Sequence, residues 1–304
     1  MDDRVIVIAG PTASGKTAIA IRVARELRGE IVSADSRQIY RYMDVGTAKP
    51  TPTERSEVPH HLIDCVNPDT PFSAAEFAAQ SSELIEDILA RNLRPIVVGG
   101  AGFYLEALFD GLSPVPSVPA ELKQRISADV RKDVENAFSD LRRVDPDTAE
   151  ILNVSDPQRI ARALEVYAFT GEPISYFQSL PRIPATKRSS VKFCLSPDRS
   201  VLYDRINRRT VEMFENGLVE ETKALFELGY DRNTYALKTF GYREICAHLA
   251  DEMDLDKAME SIQTGTRHYA KRQLTWFRNR SKMSWLDPTL SETTETIAAS
   301  IREL

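Results

Sequence analysis

Val5-Ile6-Val7-Ile8-Ala9-Gly10-Pro11-Thr12-Ala13-Ser14-Gly15-Lys16-Thr17 is the stretch from which the fold is read. The β-branched run from Val5 to Ile8 has the pattern of a strand buried on both faces. Residues 10–17 satisfy G-x-x-x-x-G-K-[ST], and Ile19, Ala20, Val23, Ala24 and Leu27 then recur as the apolar side of a helix. In this order of strand, glycine loop and helix the motif has a mechanism. Backbone amides curl around phosphate oxygens, and the helix N-terminus adds its positive dipole end. Gly10, Pro11, Thr12, Ala13, Ser14, Gly15, Lys16 and Thr17 are therefore candidate diphosphate ligands. Lys16 supplies a point charge, and Thr17 a hydroxyl able to hold Mg²⁺. The pattern does not say which phosphate compound is bound.

Outward from this loop, Glu30 to Ala34 reads as a second strand, ending at Asp35. Phe72 to Arg91 reads as a helix, with Ser73 as its N-cap and Glu76 at the capping-box position. Pro95 to Val98 reads as a third buried strand, closing on Gly99-Gly100. Strands alternating with helices predict an α/β fold, a P-loop NTPase-like parallel sheet flanked by helices. Pro114, Pro116 and Pro119 cannot continue a helix or a central strand, so a boundary falls there. Residues from about 120 to 180 are helical in pattern, with a helix start at Asp156-Pro157. Val191 to Leu195 reads as a strand returning to the sheet, followed by helices to about Trp285. The expected organisation is a core domain of residues 1–114 and 186–304, interrupted by a helical insertion domain of residues 115–185.

The composition is that of a soluble globular protein: 304 residues, 42% hydrophobic and 28% charged. No apolar run is long enough for a bilayer, and Met1-Asp2-Asp3 passes almost directly into a strand without a signal-like segment. The three cysteines (Cys65, Cys194, Cys246) are scattered and never in a C-x-x-C spacing. That argues against a disulfide framework or zinc site and for a reducing cytoplasm. A net charge of -6 argues against a non-specific nucleic-acid binder. Yet Ser261 to Leu286 contains no acid and carries Arg267, Lys271, Arg272, Arg278, Arg280 and Lys282. An acidic chain can bind RNA through one basic face. Arg267, Lys271, Arg278 and Lys282 recur near helical-turn spacing and so share a face, while Tyr269 and Trp276 can pack or stack. A solvated face over an aromatic seam is the plainer reading; six cations without an acid favour binding.

Other chemistry-bearing residues are less decided by their own pattern. Asp35 follows a strand neighbouring the phosphate loop, so its carboxylate belongs on the phosphate side, although a lone Asp at a strand end is commonly a cap. The strand at 96–98 ends in Gly99-Gly100-Ala101, without the acid that nucleotide hydrolases of this fold use for Mg²⁺. Asp64 is a substitute or simply a loop cap. Arg205, Arg208 and Arg209 form a second cationic group, for which surface pairing with Asp204 and Glu212 is an equal reading. His60 and His61 are adjacent and do not converge on one ion, so they are read as structural.

A resemblance then joins these pieces. Asp35-Ser36-Arg37-Gln38-Ile39-Tyr40, followed by Met43-Asp44-Val45-Gly46-Thr47-Ala48-Lys49-Pro50, resembles the tRNA dimethylallyltransferase family of adenosine-37 isopentenyltransferases. Similar blocks run the length of the chain: GPTASGKT at 10–17, Pro59 to Asp64, Gly99 to Tyr104, Asp156 to Val166, Gly241-Tyr242-Arg243, and Lys271 to Arg278.

The resemblance implies transfer of a dimethylallyl group from dimethylallyl diphosphate to N6 of adenosine 37 in tRNA. The P-loop would then stabilise a departing diphosphate rather than hold ATP, with Mg²⁺ on Thr17 neutralising the same group. Asp35 is expected to take the proton of the poorly nucleophilic amine, with Lys16 and Arg209 on the diphosphate. The resemblance further implies tRNA contacts at Asp35, Ser36, Arg37, Gln38, Ala101, Lys123, Gln158, Arg159, Ile160, Ala161, Arg162, Lys238, Gly241, Tyr242 and Arg243. It extends them to Lys271, Arg272, Gln273, Leu274, Thr275, Trp276, Phe277 and Arg278. The expected partners are the tRNA anticodon stem-loop and dimethylallyl diphosphate, without a membrane, and the expected state is a monomer. One position departs from the family, which has threonine where this chain has Ala101; activity is expected to persist without that hydroxyl. A P-loop small-molecule or nucleoside kinase is the alternative, but it leaves the acid-free basic segment and the block at Gln158–Arg162 unexplained. A non-catalytic RNA binder is opposed by the intact Lys16, Thr17 and Asp35.

Overall fold

The computed structural model describes residues 3–280 and 282–302; Met1 and Asp2, from which the chain was expected to enter its first strand, lie outside them. The chain divides into two compact units, Met1–Phe109 with Ala185–Leu304, and Asp110–Pro184.

The larger unit is built on six parallel strands: β1 (Val5–Ala9), β2 (Gly29–Ser33), β3 (His60–His61), β4 (Arg94–Gly99), β5 (Ser190–Leu195) and β6 (Ser284–Leu286). Their order across the sheet is β3-β2-β4-β1-β5-β6. Every residue of β1 is fully buried, as the unbroken run of Val and Ile requires for a central strand covered on both faces. Ile6 and Ile8 face the helix Lys16–Leu27 through Ile19, Ala20, Val23 and Ala24, together with Ile96, Val98, Phe193 and Leu195. Right-handed crossovers dictate the rest. The chain crosses one way from β1 through β2 to β3 and back the other way from β3 to β4, so Lys16–Leu27 and Ala74–Ala90 cover opposite faces. Ser73 and Glu76 form the expected capping box at the start of the second of these helices.

Because every pair is parallel, the carboxyl ends of β1, β2, β4 and β5 share one edge of the sheet. The direction of crossover reverses between the neighbours β1 and β4, and ligands of open α/β sheets settle at such a reversal. Strands β3 and β6 widen the sheet beyond the sequence reading. At two and three residues they are too short to show a period. The helices expected to reach about Trp285 end at Arg280, and β6 with the helix Thr293–Arg302 follows. Among the described residues no helix is long and apolar enough to cross a membrane.

The smaller unit is all helical. Ala120–Lys132, Val134–Val144, Pro146–Ile151, Pro157–Thr170 and Ile174–Ser179 enclose a core of Val118, Val130, Phe138, Leu141, Ile160 and Val166. An antiparallel bridge between Leu112 and Ile183 closes its base. Asp156 caps the helix Pro157–Thr170 by accepting from Arg159 N, with Pro157 at the first turn where its missing N–H costs nothing.

Candidate functional site

The loop between β1 and the helix Lys16–Leu27 turns with Gly15 in the left-handed region (φ 91°), a conformation that glycine adopts without strain. Lys16 opens the helix and its Nζ donates to Pro11 O at 2.7 Å. Ser14 is fully buried, and its Oγ has no hydrogen-bond partner among the described residues. A buried orphan hydroxyl inside a loop of this shape is a feature that an anion in the cradle would satisfy. Arg205 closes one side of the loop, donating to Ser14 O at 3.4 Å.

Asp35 stands just beyond β2 on the same edge. Its Oδ1 accepts from Arg37 N (2.8 Å) and Gln38 N (3.4 Å), a local turn of the kind a short acidic side chain favours. Both bonds fall on one oxygen, so Oδ2 remains the oxygen available to a substrate. The cap and the functional reading of Asp35 are therefore compatible. The Gln38 amide donates to Ala48 O (3.2 Å), which also accepts from Arg209 Nη2 (3.2 Å). The Asp35 turn and Arg209 are thereby tied to the same loop carbonyl.

The charges of these residues act on one another. Burial pulls the Lys16 ammonium down to about 8; the negative charge of Asp35 opposes this and the positive charge of Arg209 adds to it. Burial likewise lowers Arg209, against the pull of Asp35 and Glu212. Tyr269 is pushed up to about 12, first by burial and then by the charge of Asp35. Asp35, Lys16 and Arg209 are thus electrostatically coupled, the charge of Asp35 acting on both cations. Arg209 is drawn into this coupling rather than into surface pairing, whereas Arg208 lies toward Glu212 at 3.7 Å.

Asp64 is not free to hold a cation. It is paired with Lys49 at 2.6 Å and Arg55 at 2.8 Å, which keep its carboxyl below the ordinary range despite burial. His60 and His61 stay structural, on Val58 O and on Glu30. No group of three or more His, Cys, Asp or Glu able to hold a metal occurs among the described residues. Thr17 follows Lys16 in the first turn of the helix and offers a single side-chain hydroxyl.

The helix Leu255–Arg280 carries the basic segment. Lys271, Arg272, Trp276 and Arg280 line a groove along it, with Arg280 over the Trp276 ring at 4.8 Å and Phe103 edge-on to that ring. The stripe differs from its expected form at both ends. Arg267 donates to Asn207 Oδ1 (2.6 Å) on the neighbouring helix, and Lys282 lies past the helix end. Lys271, Arg272, Thr275 and Arg278 are exposed on the helix, Arg278 reaching over Trp285.

Several expected RNA contacts are placed otherwise by burial. Phe277 and Tyr242 are fully buried, Leu274 packs on Leu202 and Ile206, and Ile160 and Ala161 belong to the core of the smaller unit. Their side chains serve packing. Gln273 is also buried, and its amide is spent on two backbone groups. Ser36, Arg37, Lys238 and Arg243 are solvent-accessible in the larger unit, with Arg243 lying over Phe240. Gly241 opens the helix Tyr242–Leu249, and Ala101 N donates to Ala34 O. In the smaller unit Lys123 is half-buried, Gln158 and Arg159 are exposed, and Arg162 is tied to Pro116 O.

Glu221 is a residue the sequence reading missed. Its Oε2 accepts from Asp44 N (2.7 Å) and Val45 N (2.8 Å), and its Oε1 from Gly46 N (3.1 Å) and the Tyr242 hydroxyl (2.6 Å). One carboxylate thus fixes the loop whose Ala48 carbonyl holds Arg209. Glu221→Gln turns an amide NH₂ toward donors and leaves an exposed or half-buried N–H without its partner, a loss of about 1 kcal/mol. The expected result is a melting temperature lower by a few degrees, with a smaller drop for Tyr242→Phe, read by thermal denaturation.

Residues 38–280 match the family model described as IPP transferase, and residues 3–65 that described as isopentenyl transferase. The chain is 46% identical to the tRNA dimethylallyltransferase 1 of Pelobacter propionicus over 93% of its own length and 92% of the relative's. It is 43% identical to the tRNA dimethylallyltransferase of Geobacter sulfurreducens, over 97% and 96% of the two chains. Among solved structures it resembles the full-length tRNA isopentenylpyrophosphate transferase of Bacillus halodurans (TM-score 0.73, 34% identity, 99% of this chain and 96% of that one). It also resembles a eukaryotic dimethylallyltransferase acting on tRNA (TM-score 0.81, 29% identity, 98% of this chain and 77% of that one).

Proposed function

Since this chain belongs to the IPP transferase family, we propose that it transfers a dimethylallyl group from dimethylallyl diphosphate to N6 of adenosine 37 in tRNA. The observation that carries this reading is the phosphate loop with Lys16 on it, together with Asp35, whose turn bonds both fall on Oδ1, and Arg209, which is tied to the same loop carbonyl as the Asp35 turn.

In the reaction the adenine N6 attacks the allylic carbon while that carbon's bond to the diphosphate oxygen breaks. Negative charge grows on the diphosphate, and the loop amides, Lys16 and Arg209 stabilise it. The proton released from N6 passes to Asp35 Oδ2 as the C–N bond forms. Thr17, with the substrate's own phosphate oxygens, would hold Mg²⁺, which supplies further neutralisation of the leaving group. Lys271, Arg272 and Arg278 meet tRNA phosphates, offsetting the cost of about a few kcal/mol for taking the adenine out of its stack. Arg159 on the smaller unit presents a further cation for the anticodon stem-loop.

Mass spectrometry of an anticodon stem-loop RNA, incubated with the protein, Mg²⁺ and dimethylallyl diphosphate, tests the proposal. The expected result is a gain of one dimethylallyl group on the adenosine. An unchanged RNA, together with consumption of ATP by a small acceptor, would replace this reading with a kinase.

A further inference from the structure

Gln273 sits in the middle of the basic helix, between exposed Arg272 and half-buried Leu274, yet it points inward and is 7% exposed. Its Oε1 accepts from Thr12 N in the phosphate loop at 2.9 Å, and its Nε2 donates to Gly100 O at 2.9 Å. The partners are a backbone donor and a backbone acceptor, so only one orientation of the amide satisfies both. Tyr269, one turn earlier on the same helix, lies near this amide and feels the charge of Asp35.

The approach is close enough to dictate sequence on the other side. A Cβ on Gly100 would collide with Gln273 Nε2, and one on Gly102 would collide with the Trp276 indole. The glycine block after β4 is thus shaped by this helix. The same helix presents Lys271 and Arg272 outward, next to Gln273, and Trp276 to the groove.

We propose that Gln273 is a positioning residue that couples the two substrate sites, passing occupancy of the basic helix by RNA to the conformation of the phosphate loop. The inference rests on the prenyl-transfer reading of the site. RNA phosphates bound at Lys271 and Arg272 restrain the helix on either side of Gln273. A restrained Gln273 holds Thr12 N and Gly100 O, and so orders the loop before diphosphate arrives. The second ligand then has less conformational freedom to remove and binds more tightly. Linkage requires the same factor in the other direction, with diphosphate tightening RNA equally.

The test uses inorganic diphosphate and an anticodon stem-loop RNA, each titrated alone and in the presence of the other. In the parent protein each ligand is expected to tighten the other by about 5–150-fold. Gln273→Met approximates the length of the side chain and removes both bonds. Gln273→Glu keeps the acceptor for Thr12 N and sets a carboxylate against Gly100 O. In both variants the mutual factor is expected to fall toward one, while the affinity for RNA alone changes little. A merely structural role would weaken either ligand alone and leave the factor intact. If Gln273→Met does not fold, Gln273→Glu carries the measurement. An unchanged factor in the variants overturns the proposal, as does a parent that prenylates the RNA with no mutual effect. A parent that neither binds nor prenylates the RNA overturns the functional reading together with it.

Discussion

Asp35→Asn is expected to lower kcat for prenyl transfer by roughly 10²–10⁴-fold, the range a positioned general base contributes. Asparagine retains an oxygen for Arg37 N and Gln38 N, so the turn after β2 keeps both of its hydrogen bonds. What it loses is the charge and the proton acceptor at Oδ2. The melting temperature should therefore stay near that of the parent while turnover collapses. A second signature separates Asp35 from a residue that only shapes the pocket. Its negative charge raises the pKa of Lys16, so its removal should move the titration of Lys16 to lower pH. Single-turnover rates at saturating RNA and dimethylallyl diphosphate isolate the chemical step. A variant within tenfold of the parent would mean that another group, or water, takes the proton.

The decisive parts of the fold were legible because each has a short-range physical signature. The Val5–Ile8 run and the glycine loop after it carry their own context, and a capping box such as Ser73 with Glu76 is a local arrangement. What escaped depends on contacts distant in sequence. Strand β6 exists because Ser284–Leu286 finds the open edge of β5, and three residues hold no period. Glu221 reads as one of two adjacent acids, Glu220-Glu221, and nothing nearby says that Asp44, Val45 and Gly46 will converge on it.

Gln273 is more instructive, because a signal was present. Ala270, Gln273 and Phe277 fall three and four apart and form a buried side of the helix, so the spacing marks Gln273 as inward. Flanking cations masked it: a segment assigned as one RNA-facing block hides the alternation between exposed residues and residues that reach the phosphate loop. Asp35 shows the converse. Its reading as a cap and its reading as a base compete in the sequence, but in the structure both turn hydrogen bonds fall on Oδ1, so the cap does not exclude the other role.

Lys16→Met is expected to reduce kcat/KM for dimethylallyl diphosphate by about 10²–10³-fold, as loss of a preorganised donor to developing negative charge does. Methionine matches the length of the chain and packs in the same space, so the loss reports the ammonium rather than a cavity. The pH dependence gives the sharper test. Burial holds Lys16 at about 8, so the free protein carries the cation below that pH and a neutral amine above it. Affinity for inorganic diphosphate, measured in a chelator so that no divalent ion contributes, should therefore weaken as pH rises through about 8. Once diphosphate is bound, its charge favours the protonated lysine, so the complex should retain the cation to higher pH than the free protein. In Lys16→Met the alkaline weakening should disappear along with most of the affinity. Were it to persist in the variant, the titrating group would lie elsewhere, and the phosphate loop would be holding its ligand through backbone amides and Arg209.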